Sequence, residues 1–166
     1  MSTPPTPEHL KATVGKALGR IPSGVFILTT RHAGATSAMM VSWVQQAAFD
    51  PPALSVAVAK GRAIGEMIRG SKKFSLSIIP EGDTTLMKRY ARGIKPGEDA
   101  FAGVETLTTP LGIPALKASL AWLDCELMET IDFGGDHDLF LAEIVGGAVL
   151  QSGHAFMHQR GSGFHY

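Results

Sequence analysis

The chain has 166 residues, with fifteen basic and fifteen acidic side chains, zero formal charge and a single cysteine, Cys125. That length suits one domain whose core needs no disulfide or metal, and a lone cysteine permits no intrachain bridge and fits a reducing, cytoplasmic setting. Balanced charge lacks the positive field on which nucleic-acid and anionic-membrane binding rely, no apolar run approaches the ~20 residues of a bilayer span, and the opening MSTPPTPEHL carries no signal-peptide pattern.

Pro4 and Pro5 block helix and ladder pairing, so residues 1–6 read as a loose tail and 7–166 as the single domain. Thr6, Pro7 and Glu8 have the character of an N-cap, a first-turn proline and an acid at the positive end of a helix dipole. Leu10, Val14, Ala17, Leu18 and Ile21 then recur at helical spacing, which predicts an amphipathic helix ending near Gly19.

Residues 24–30, GVFILTT, are β-branched and aromatic, and RHAGA (31–35) supplies a turn into the apolar stretch SAMMVSWVQQAAFDPP, so the two read as a hairpin. ALSVAVAK (53–60) is a third strand, and GRAIGEMIRG a short helix with Gly70 just past its end. KFSLSII (73–79) alternates as a strand, and DTTLMKRYARG (83–93) is a helix begun by Asp83 and closed by Gly93. The next 20 residues are expected as a surface excursion. Residues 118–131 and 138–150 are long strands joined by DFGGDH, and AFMHQR supplies a last short strand before a polar end. Strands without regular βα alternation argue against a doubly wound sheet and for a mainly β, antiparallel barrel with short helices.

Phosphate-loop, dinucleotide-fingerprint and paired-cysteine motifs are absent. His154 and His158 stand four apart without a convincing helix or an acidic third ligand, so no metal site is assigned. Three places can carry chemistry. The small and hydroxyl residues Ala35, Thr36, Ser37 and Ala38 would let a flat ligand approach the backbone, or equally would line a crowded barrel wall. Lys60, Gly61 and Arg62 stand where a strand hands over to a helix, which makes a phosphate cradle or a pair of ordinary solvated charges. His137, between two acids in a glycine turn, can act as a cation or proton donor, or simply as a polar cap.

Taken in order, GRIPSGVFILTT, TSAMMVSWVQQAAFDPPALSVAVAKGRAIGEMI, KFSLSII, LAWLDCEL and GDHDLFLAEIVGGAVL resemble the flavin reductase-like family of FMN-binding split β-barrels of Greek-key type. The resemblance runs from about Ala17 to Tyr166. It is closest to the C-terminal domain of cyanobacterial diflavin flavoproteins, whose other domains have no counterpart here.

The resemblance implies a homodimer holding FMN, or FAD, near the subunit interface. It assigns the flavin to the strand of Thr36, Ser37, Ala38, Met39, Met40, Val41, Ser42 and Trp43 and to the turn of Lys60, Gly61, Arg62, Ala63 and Ile64. It further places His137 beside the nicotinamide as the catalytic candidate, and Arg89, with Lys88, as a phosphate-binding cation. The activity it implies is hydride transfer from NADH or NADPH to bound flavin, with electrons passed on to an acceptor protein. A non-catalytic FMN-binding electron-transfer module is the alternative. A haem-binding split barrel is a third reading, for which no histidine is placed as an axial ligand.

Overall fold

The computed structural model describes residues 6–91, 93–94 and 97–164, so the tail expected at 1–6 lies, but for Thr6, outside the described residues. Two compact units emerge: residues 24–156, and the terminal segments 1–23 with 157–166.

In the terminal unit, α1 spans Pro7–Leu18, and Thr6 caps it by accepting the His9 N–H at 3.3 Å. Two glycines decide what packs on it. The Gly163 N–H donates to the Gly15 carbonyl at 2.7 Å and the Arg160 N–H to Gly19 at 3.1 Å. A Cβ on Gly19 would stand 2.6 Å from the Arg160 carbonyl, so only glycine admits the strand-like tail there. Through these bonds the segment expected as a polar end packs on α1. The apolar positions Leu10 and Leu18 remain 39% exposed, so the stripe read from helical spacing is only partly covered. The short β1 (Ser23–Gly24) pairs with β11 (Met157–His158).

The central unit contains, in chain order, β2 (Phe26–His32), β3 (Ala35–Val41), β4 (Val44–Phe49), β5 (Pro52–Ala59), α2 (Ala63–Ser71) and β6 (Lys73–Ile78). It continues with α3 (Thr84–Ala91), β7 (Thr106–Thr108), β8 (Pro114–Leu116), β9 (Ala121–Ile131) and β10 (His137–Val149). Seven strands form one antiparallel sheet in the order β3-β2-β6-β9-β10-β5-β4.

That order dictates a barrel. β3 and β4 occupy opposite edges of the sheet, yet only Ser42 and Trp43 separate them in the chain. Three peptide steps bridge at most ~11 Å between Val41 and Val44, so the two edges must curl toward each other. The sheet closes without a ladder between β3 and its new neighbours, which is the split. The stretch that reads as one long strand is thus two, broken at Ser42–Trp43.

Side-chain alternation then builds two cores. Leu28, Val41, Leu54, Val56, Val58, Phe74, Leu76, Cys125, Phe140 and Ala142 fill the barrel, and Ile64 and Ile68 of α2 join them. Each such fully buried aliphatic or aromatic side chain contributes about 1.5–3 kcal/mol. On the other face of β2 and β3, Ile27 and Ala38 pack with Val25, Ile79, Leu86, Tyr90, Ala100 and Leu116. Strands buried on both sides have no polar face, which is why this stretch is apolar almost throughout.

Two local expectations shift. α2 continues through Gly70 and ends at Lys72, which takes the left-handed conformation at φ 60°. Gly70 serves a contact instead: a Cβ there would lie 2.5 Å from the His32 ring. The excursion expected after α3 is folded, since β7 and β8 pair and Ala100, Thr109 and Ile113 are buried. Asp83 does begin α3, accepting the N–H groups of Thr85 and Leu86 at 3.1 and 3.0 Å.

Candidate functional site

The site grows from the alternation in β5. Leu54, Val56 and Val58 point into the barrel, which turns the small residues Ser55, Ala57 and Ala59 outward. Opposite Ala59 in the antiparallel register stands His137, the first residue of β10 and buried, rather than a residue of the preceding turn. Trp43 joins the same face: its carbonyl accepts the Ala57 N–H at 3.0 Å, and its ring lies 4.8 Å from that of His137 at an interplanar angle of 48°. His137 Nδ1 is 2.8 Å from Asp136 Oδ1, and this contact holds the Asp136 carboxyl below its ordinary range. Together Trp43, Ala57, Ala59 and His137 make an outward shelf with an aromatic wall and a low floor.

One end of the shelf is the strand-to-helix turn. The Lys60 N–H donates to the Asp136 carbonyl at 2.9 Å, which ties β5 to the start of β10. Gly61 takes φ +79°, a conformation costly for other residues, and the direction a Cβ would take is open space. Arg62 is the N-cap of α2 and makes no side-chain capping bond. The first N–H groups of the helix, from Ala63 and Ile64, lie beyond the reach of any intrahelical acceptor. Orphan donors and the positive end of the helix dipole favour an anion here.

The two cations of the turn differ. Lys60 Nζ is 2.6 Å from Asp132 Oδ1 and 3.9 Å from Asp138 Oδ1. The Lys60 contact, with the Gly134 N–H, holds the Asp132 carboxyl below the usual carboxylate range. Arg62 forms no ion pair among the described residues, and its guanidinium extends toward Gly93, where a Cβ would stand 3.7 Å from Nη1.

The other expected positions divide. Met39 and Val41 face the barrel, while Ala38 and Met40 face the second core, and β3 is an edge strand of the sheet. Thr36 accepts from Arg31 Nε at 3.2 Å, Ser37 stands opposite Thr30 in the ladder, and Ser42 leads into Trp43. Arg89 is occupied: its guanidinium donates to the carbonyls of Asp99 and Ala100 at 3.1–3.3 Å, and Tyr90 beside it donates to Ala100 at 3.0 Å. Ser42, Trp43, Lys60, Gly61, Arg62, Ala63 and His137 therefore gather at one end of β5, and Arg89 braces a loop.

One participant has no role in the sequence reading. Asp138 is buried and divides its carboxylate between Arg69 of α2 and Lys60. Its signal is present but faint, an acid at the second position of a mostly apolar strand. Cys125, by contrast, lies in the barrel core, where burial pushes its thiol up to about 12, so it is a packing residue and not a nucleophile.

An antiparallel split barrel with an anion-favouring turn beside an aromatic shelf defines a class, and comparison identifies it. Residues 18–164 match the flavin reductase like domain. The chain belongs to that family. Diflavin flavoproteins A 3 and A 1 of Synechocystis sp. are 41% and 38% identical to it over 161 residues, 96% of this chain. The chain spans 27% and 28% of their lengths, about a quarter of each relative. Among solved structures, the NADH:FAD oxidoreductase SgcE6 of Streptomyces globisporus superposes with a TM-score of 0.82 at 21% identity, covering 97% of this chain and 93% of the other. A nitrilotriacetate monooxygenase component B homologue from Mycobacterium thermoresistibile gives 0.80 at 26%, covering 90% and 83%. Among the described residues no helix is long and apolar enough to cross a membrane.

Proposed function

We propose that the chain binds a flavin, FMN or FAD, on the Trp43–His137 shelf and acts as an NAD(P)H:flavin oxidoreductase. The observation that carries this reading is Arg62, without an ion pair among the described residues, at the uncapped start of α2 and beside an outward aromatic shelf. The residues fit a flavin on their own chemistry: guanidinium and helix N–H groups suit its phosphate, the open approach at Gly61 leaves room for it, and the free edge of β3 offers backbone groups to a heteroaromatic ring. Bound flavin supplies a ring that takes a hydride from a nicotinamide and passes electrons onward.

The chain's own residues bind and orient. Trp43 walls the shelf against water, His137 presents its imidazole from the first position of β10, and Asp136 fixes the ring through Nδ1. Backbone donors at the β3 edge oppose charge developing on the ring. The reading includes a homodimer in the cytoplasm, supported by Phe49 at 89% exposure on the edge strand β4. The reading also includes a protein as the acceptor of the electrons.

The test is a visible spectrum of the purified protein with added FMN or FAD, followed by anaerobic NADH or NADPH. Bleaching of the flavin bands supports the reductase. Bound flavin that neither nicotinamide reduces replaces it with the electron-transfer module, and no flavin affinity overturns both.

A further inference from the structure

Five groups of alternating charge run from α2 to the turn before His137. Glu66 pairs with Arg69, Arg69 with Asp138, Asp138 with Lys60, and Lys60 with Asp132. The ends are wet, with the side chains of Glu66 and Asp132 77% and 62% exposed, while the centre is dry, with that of Asp138 at 11%. A buried carboxylate demands compensation, and here two cations from two different elements provide it.

Geometry gives Asp138 a second property. In the register it stands opposite Val58, on the barrel side of β10 with Phe140. The guanidinium of Arg69 lies 5.1 Å from the centroid of the Phe140 ring, which seats it under α2. His137, the preceding residue, points the opposite way, onto the shelf. One strand position is therefore gripped from behind while its neighbour is presented in front.

We propose that Asp138 is a positioning residue with two effects: through Arg69 it locks the start of β10, and with it His137, to α2, and through Lys60 it withholds a cation from the phosphate cradle. The second effect leaves the anion to Arg62 and the helix N–H groups. The inference rests on the reductase reading for its first effect only. The second concerns any phosphate ester bound at the turn.

The two effects have opposite signs, which a merely structural role does not produce. Asp138→Asn removes one negative charge near Lys60 and keeps the shape. FMN affinity is expected to rise about two- to fivefold, while riboflavin, which lacks the phosphate, binds as before. In the same variant kcat/KM for the nicotinamide falls about tenfold, through kcat, because the histidine is less well placed. The double variant Asp138→Asn/Arg69→Gln restores the local charge balance and guards against a folding defect from a stranded guanidinium. Its FMN affinity stays above the wild-type value, because Lys60 is still released from Asp138, while kcat stays low. Equal losses for FMN and riboflavin, or an unchanged kcat, overturn the proposal. If wild-type protein binds FMN but neither nicotinamide reduces it, the reductase reading fails and the first effect with it, and the FMN-against-riboflavin comparison still decides the second.

Discussion

The start of α2 and the last turn of α3 both carry arginines beside a helix end, the first read as a phosphate cradle from its residues and the second only through the family resemblance. They differ in what surrounds the guanidinium. Arg89 meets the carbonyls of Asp99 and Ala100 and is consumed in bracing the segment that leads to β7. Arg62 meets no acid among the described residues and stands at an uncapped helix start. The availability of a cation is thus set by acceptors brought from elsewhere in the chain, and only the fold reveals them.

The sharpest way to break this contrast is Arg62→Glu. Loss of a charge-assisted hydrogen bond to phosphate weakens FMN by roughly 2–3 kcal/mol, tens- to hundredfold, measured by quenching of flavin fluorescence, with riboflavin far less affected. Arg89→Ala moves the opposite quantity. It removes donors from the Asp99 and Ala100 carbonyls and lowers stability by about 1–3 kcal/mol, read as a drop in melting temperature, while FMN affinity changes less than about twofold.

Lys60→Gln falls between them. Its ammonium is already shared between Asp132 and Asp138, so FMN weakens less than about fivefold; a loss matching that of Arg62→Glu would make the two cations equivalent. The smallest effect is acidic. Asp132 and Asp136 titrate below their ordinary values in the folded chain, Asp132 chiefly through Lys60 and Asp136 through His137. Their contribution is full above the unfolded carboxylate value of about 3.9 and is lost as pH falls through the lower folded values. Melting temperature measured from pH 6 to pH 2 should therefore decline less steeply in Asp132→Asn than in the parent.

What was legible in the sequence was local. Thr6 and Asp83 announce helix starts because a cap acts within three residues, and both function as caps. The strands announced themselves by alternation, and the ordered motifs supplied the family. Gly70 misled because its absent side chain serves the His32 ring, a neighbour on another strand, and not the helix end. In MMVSWV only Ser42 interrupts the apolar run at the break between β3 and β4, and no glycine or proline marks it. The role of Asp138 was hidden because its partner Arg69 is 69 positions away.

The two-residue link at Ser42–Trp43 has a consequence for assembly. Val41 and Val44 are near neighbours in the chain but belong to strands at opposite ends of the seven-stranded order. Their ladders differ as well: β3 pairs with β2 beside it in sequence, whereas the β5–β10 pairing on the far side closes a loop of roughly eighty residues, a slow, high-contact-order step. Trp43 meets His137 only after that step is complete. A sheet that lacks the β5–β10 ladder lacks the Trp43–His137 contact as well, so that one ring contact reports on the pairing of strands far apart in the chain.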